Sequence, residues 1–221
     1  MTARTPRKTK IPRRKKTSRP LQPLILTIGH SNRSIEDFLA FLKAHNVGRV
    51  VDVRTVPRSR HNPQFNRLPA VAGLPAHAGD TLPQTLRRAR IAYTHLKELG
   101  GLRRANADSV NTGWNNSSFR GFADYMQTPE FAAGLARLEK LAQTKRCAIM
   151  CAEAVPWRCH RSLLADALTV RGHAVEHIMT PTRRNLHKLT SFARVRGKKI
   201  TYPATPATRA QAAKNAARAP G

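Results

Sequence analysis

"RCAIMCAEAVPWRCHRSLLADAL", Arg146–Leu168, is the stretch whose reading decides the fold. Its first part, "RCAIMCAE", is apolar at consecutive positions, as a strand covered on both faces must be. Its last part, with Leu163 and Leu164, reads as a helix over residues 157–171 that stops at Gly172. A polar loop joins the two and carries Cys151, Glu153, Arg158, Cys159, His160 and Arg161. A buried strand that enters a helix through a short loop is the repeating unit of a parallel α/β sheet.

The same unit recurs on both sides. Upstream, "PLILTIGHS" is an apolar run ending at Gly29, and Ser34 offers an N-cap for a helix over residues 35–45. "VGRVVDVRTV" is the second strand, and "PRSRHNPQFNRLP" is loop. A short helix over 82–90 precedes "IAYTHLKEL", a third strand closed by Gly100-Gly101. "SFRGFADYMQ" is helical, and Thr128-Pro129 restarts a helix whose apolar stripe is Phe131, Leu135, Leu138 and Leu141. Downstream, "HAVEHIM" is the fifth strand. The expected architecture is a single α/β domain over residues 21–182. Its sheet is open, mostly parallel and of about five strands, with helices on both faces.

Charge is spread unevenly along the 221 residues, whose formal net charge is +28. Residues 1–20 hold nine Lys/Arg and no acid, and residues 181–221 hold ten and no acid. Both ends are poor in large apolar side chains, so neither has enough burial to offset its ordering entropy. Residues 1–20 are expected to be a disordered basic arm and 183–221 a basic, Ala/Pro-rich tail. Acid-free basic arms bind nucleic acid or another polyanion by counterion release; the alternative is a tail that only solubilises. No apolar run has the length of a signal peptide core or a membrane span, so no membrane is expected as partner. The cysteines, Cys147, Cys151 and Cys159, are odd in number and form no disulfide framework. They suit a reducing, cytoplasmic location.

In open parallel sheets, ligands bind outside the carboxyl ends of the strands. Three such ends here are polar. The first delivers His30, Ser31 and Asn32, and the second Asp52, Arg54 and Arg58. The fourth delivers Cys151, Glu153, Arg158, Cys159, His160 and Arg161. Cys147 and Cys151 share a strand face, with Cys147 read as packing. Cys159 and His160 are placed in the first helical turn, where the positive end of the helix favours anions and lowers a thiol pKa.

Several readings of this cluster stay open. A cysteine, Cys151 first, is a nucleophile beside an anion held by arginines. Alternatively Cys151, Cys159 and His160 ligate zinc, although no CxxC pair is present. Or Glu153 and His160 do acid/base work while the arginines hold a phosphate and the cysteines pack. Finally, the cluster only caps and orients the loop. Asp52, in a buried strand, needs a basic partner such as Arg54. Trp114, Phe119, Phe122 and Tyr125 either cover the pocket, stack on a base or close the core.

"TIGHSNRSIEDFL", "VVDVRTVPRSRHNPQFN", "YTHLKELGG", "SFRGFADYMQTPEF" and "MCAEAVPWRCHRSLLADAL" resemble the signature blocks of the bacterial domain-of-unknown-function family 488. The resemblance spans about residues 24–180, with "AVAGLPAHAGDTLPQ" as an insertion. It implies an α/β fold and a shared polar set: His30, Ser31, Asn32, Asp52, Arg54, Arg58, Cys151, Glu153, Cys159, His160 and Arg161. It implies no reaction. The expected function is an enzyme, a hydrolase or transferase, acting on a phosphate-bearing small molecule or nucleic acid in the strand-end pocket. In it Glu153, His160, Cys151 and His30 would be catalytic. Ser31, Asn32, Asp52, Arg54, Arg58, Arg158, Cys159 and Arg161 would bind substrate. The alternatives are a non-catalytic nucleotide- or nucleic-acid-binding module, or a cysteine-dependent phosphatase- or sulfurtransferase-like enzyme. No cofactor is legible.

Overall fold

Residues 22–68, 80–206 and 208 are described by a computed structural model. The arm 1–20 and the far end of the tail lie outside the described residues. Apolar strands that cannot satisfy their backbone alone pair here into a six-stranded sheet. Its members are β1 (Ile25–Gly29), β2 (Arg49–Asp52), β3 (Ala92–His95), β4 (Cys147–Cys151), β5 (Val175–Ile178) and β6 (Arg184–Leu186). The order is β3-β2-β4-β1-β5-β6, parallel except for the edge strand β6.

Five helices are formed among the described residues: α1 (Ile35–Ala44), α2 (Leu82–Arg88), α3 (Ser117–Tyr125), α4 (Pro129–Thr144) and α5 (Arg161–Val170). Their starts follow the chemistry of the chain. Ser34, Asn116 and Thr128 each accept a backbone N–H of the first turn, and Pro129 occupies the first helical position. Alternation along β4 divides the core in two. Cys147, Ile149 and Cys151 face α3, α4 and α5, with Leu135, Leu138, Leu163 and Leu164. Ala148 and Met150 face α1 and α2, with Phe38, Leu42, Leu82 and Leu86. The expected sheet with helices on both faces is therefore present.

The end of the domain differs from expectation. The chain does not leave the fold at residue 182. Arg184–Leu186 adds β6, and β7 (Arg194–Arg196) pairs with β8 (Lys199–Thr201) as a separate hairpin. Ile200 and Tyr202 are buried in the core. Tyr202 N–H donates to Asn111 Oδ1 at 2.8 Å, and Gln127 Nε2 donates to Ile200 O at 2.8 Å. Basic side chains on β6, β7 and β8 stay exposed while one apolar and one aromatic residue anchor the segment. Net charge across the segment hid those two anchors.

The order β2-β4-β1 decides where the site lies. These three strands are adjacent and parallel, so their carboxyl ends leave the sheet at one edge. The backbone then zips the loops together: His30 N–H donates to Cys151 O at 2.9 Å and Ser31 N–H to Ala152 O at 2.8 Å. The approach is close enough that a Cβ on Gly29 would stand 1.8 Å from Glu153 O. Only glycine fits there.

Candidate active site

One cavity of about 430 Å³ opens at this edge. Its lining includes His30, Arg54, Arg58, Cys151, Glu153, Arg158, Cys159 and His160. Four other residues expected in a site are not brought into it. Asp52 is fully buried beneath it, and Arg161 is buried behind the loop after β4. Ser31 has φ 55° and pairs its hydroxyl with Asn32 Oδ1 at 3.2 Å; neither side chain lines the cavity. A larger cleft, about 730 Å³, lies between α1 and α2 and gathers none of these side chains.

Arg54 is locked from below. Its Nε donates to Asp52 Oδ1 at 2.9 Å and its Nη2 to Asp52 Oδ2 at 2.6 Å and Phe65 O at 2.8 Å. Tyr93 Oη donates to the same carboxylate at 2.8 Å. Burial alone would lower the Arg54 pKa, but the bonds to Asp52 and its charge outweigh burial and raise it. Burial and the negative charge of Asp52 likewise raise the Tyr93 pKa. Asp52 therefore positions Arg54 from below and does not reach the cavity.

His30 completes the clamp. Arg54 Nη1 donates to His30 Nε2 at 3.3 Å, and His30 Nδ1 stands 2.8 Å from Ser31 O. An arginine only donates and a carbonyl only accepts, so the imidazole is neutral with its proton on Nδ1. Burial, then the Arg54 charge, lowers its pKa to about 4. The ring stacks on Phe65 at 4.3 Å between centroids. With both nitrogens engaged, His30 orients Arg54 rather than shuttling protons.

The loop after β4 departs from the expected helix. Pro156–Arg158 forms a single 3-10 turn, Cys159 is extended, and His160 caps α5. Cys159 and His160 thus precede the helix. The extended residue swings its sulfur toward Cys151. His160 Nδ1 lies 3.9 Å from Cys151 Sγ and 3.6 Å from Cys159 Sγ. The ring packs edge-on to Phe122 at 5.0 Å, and a Cβ on Gly101 would strike its Nδ1 at 2.4 Å. Glycine at 101 is what lets the ring sit there. The Cys151 thiol hydrogen-bonds to Cys159 sulfur, and His160 and Arg161 add to the effect. Cys159 is thereby held well below the usual thiol range. The same bond, with burial, pushes Cys151 up. Burial moves Cys147 to about 11.

Arg161 Nη2 donates to the carbonyls of Glu153 and Ala154, and Nη1 to Thr27 Oγ1 at 3.4 Å. It straps the loop to α5 and contributes charge from behind. Glu153 and Arg158 are exposed at the rim, as is Arg58 opposite. Of the aromatic residues, Phe119 reaches the cavity. Phe122 is in the core, Trp114 packs on Phe119, Phe192 and Tyr202, and Tyr125 Oη donates to Glu98 O.

The sequence reading missed Thr55, Asn116, Ser118 and Leu102 in the lining. It also missed a buried polar chain beside the site. Thr27 Oγ1 meets His177 Nδ1 at 2.7 Å, His177 Nε2 meets His187 Nδ1 at 3.0 Å, and His187 Nε2 meets Asp166 Oδ1 at 2.7 Å. Tyr202 Oη donates to Asp166 Oδ2 at 2.8 Å. The signal was Asp166, a lone acid inside the apolar run "LLADAL". Three free cysteines and no disulfide occur among the described residues. No described helix is long and apolar enough to cross a membrane.

No curated protein and no solved structure matches the chain. The family model described as "Domain of unknown function DUF488" matches residues 34–168, more than half of the chain, from the start of α1 through β4 and the loop after it into α5. The protein therefore belongs to the DUF488 family.

Proposed function

We propose that the protein is an enzyme acting on a phosphate-bearing substrate, a nucleotide or nucleic acid, held in the strand-end cavity. The observation that carries this reading is that Arg54, Arg58 and Arg158 line one cavity that holds a single carboxylate, Glu153. A phosphate meets three permanent positive charges there. Arg54 meets it without further ordering, because Asp52, Phe65 and His30 already fix its guanidinium. Val56, Leu102 and Phe119 supply an apolar wall on which a base can rest, and the volume is in the range of small-ligand pockets. Glu153 is the proton-transfer group. His160 serves the two sulfurs beside it. Buried free thiols fit a reducing compartment, and we assign the reaction to the cytoplasm.

The test is titration calorimetry with inorganic phosphate and AMP. Arg58→Ala and Arg158→Ala, both at exposed positions, each weaken binding about tenfold or more and leave the thermal midpoint unchanged. Glu153→Gln retains binding and loses turnover of phosphate esters. Binding indifferent to both arginines overturns the site. Arginine-dependent binding with no turnover of any phosphate ester leaves a non-catalytic nucleotide-binding module.

The arm 1–20 adds a second, sequence-independent hold on nucleic acid. Its nine cations reduce the slope of log affinity against log salt by up to about eight when they are deleted. A slope unchanged by the deletion removes the arm from the contact.

A further inference from the structure

The arginines and Glu153 leave one part of the cavity wall unused. Cys151 Sγ, Cys159 Sγ and His160 Nδ1 all lie within 4.8 Å of one another, the one such group of three among the described residues. The imidazole nitrogen stands 3.6 Å and 3.9 Å from the two sulfurs. A tetrahedral zinc ion, with Zn–S of about 2.3 Å and Zn–N of about 2.0 Å, has S···N edges of about 3.6 Å. The three atoms already stand near the corners of one face of that tetrahedron.

Three features of the local chain hold them there. Cys159 breaks the run between the 3-10 turn and α5 with an extended backbone, φ −138° and ψ 146°. Gly101 leaves room for the His160 ring against the loop after β3, and Phe122 supports it. His160 turns Nδ1 to the two sulfurs, while its Nε2 is buried without a hydrogen-bond partner. The third thiol does not join. Cys147 Sγ points to Lys145 O at 3.4 Å, at the far end of β4.

We propose that Cys151, Cys159 and His160 bind one divalent, thiophilic metal ion, with zinc the fit for two thiolates and an imidazole. All three residues line the cavity, and no fourth Cys, His, Asp or Glu joins their group among the described residues. The fourth coordination position therefore opens to the pocket, the arrangement of catalytic rather than structural zinc. The catalytic meaning rests on the reading of the cavity given above; the metal binding stands without it.

The experiment uses the full chain, reduced and stripped with chelator, titrated with Zn²⁺ and separately with Co²⁺. One equivalent binds, and cobalt gives a thiolate-to-metal charge-transfer band. Cys159→Ser removes the band and weakens zinc on the order of a hundredfold or more. Cys147→Ser changes neither. Gly101→Ala keeps every ligand but displaces the His160 ring, and weakens zinc about tenfold or more. Zinc also protects Cys151 and Cys159 from iodoacetamide, read by mass spectrometry. Absence of stoichiometric zinc, or zinc retained equally by Cys147→Ser and Cys159→Ser, overturns the proposal. Phosphate binding is measured on the stripped protein in parallel. Loss of the metal result with phosphate retained removes only this inference; loss of phosphate with zinc retained removes only the substrate reading.

Discussion

Asp52→Asn lowers the unfolding free energy by roughly 3–5 kcal/mol, the scale for removing one partner of a buried ion pair. The carboxylate is 0% exposed and takes both forks of Arg54 and the Tyr93 hydroxyl. Asparagine keeps the volume but not the charge, so the Arg54 guanidinium stays in the interior without its counter-charge. Tyr93→Phe, which deletes one neutral donor to the same group, costs about 1 kcal/mol. Removing both charges separates charge from packing. Asp52→Asn with Arg54→Met recovers at least half of the loss, because an apolar side chain needs no partner there. Urea denaturation followed by circular dichroism measures all three. An Asp52→Asn midpoint within the range of Tyr93→Phe would show that the pair carries no special weight. The double variant also loses phosphate binding whatever its stability, since Arg54 is then gone from the cavity.

The pattern of strands and helices was legible because each element carries its own periodicity. "CAIMC" is apolar at every position, and both of its faces prove to be covered. Strand order was not readable residue by residue, yet it is what makes the site. With β4 between β2 and β1, three polar loops that are distant in sequence share one rim. The sequence marked which strand ends were polar; adjacency made them a cavity. Within the cluster, residue type was legible and direction was not. Asp52 and Arg161 look like ligand-binding residues in sequence, but both are turned inward, one under Arg54 and one onto the carbonyls of Glu153 and Ala154. Pro156 was the local cue for the break before α5. A proline near the start of a helical pattern is equally at home inside the helix, so the extended Cys159 could not be read from it. Tyr202 was missed for a different reason. A single buried aromatic in a basic segment changes composition little, although it closes the chain Asp166–His187–His177.

Acidification between pH 6.5 and pH 4 destabilises this fold in a window set by two buried histidines. His30 and His177 both have pKa values lowered to about 4, in each case first by burial. His30 faces the charges of Arg54, Asp52 and Arg161. His177 faces His187, Arg161 and Asp166. In the unfolded chain each titrates near 6.5. Between the two values the unfolded state binds more protons than the folded one, so stability rises with pH. The contribution is fully present above pH 6.5 and is lost as pH falls toward 4, at roughly 3 kcal/mol for each histidine. The geometry gives the same sign. A proton on His30 Nε2 must displace the Arg54 N–H that points at it, and a charged His177 ring is buried against His187, 3.0 Å away, and the charge of Arg161. Urea midpoints taken from pH 7 to pH 4.5 fall steadily, and His177→Gln removes about half of that slope. A midpoint constant across this range, or a slope untouched by the substitution, refutes the assignment of neutral, engaged imidazoles at both positions. Because His30 braces Arg54, phosphate binding weakens in the same interval, and His177→Gln leaves that binding curve in place while flattening only the stability curve.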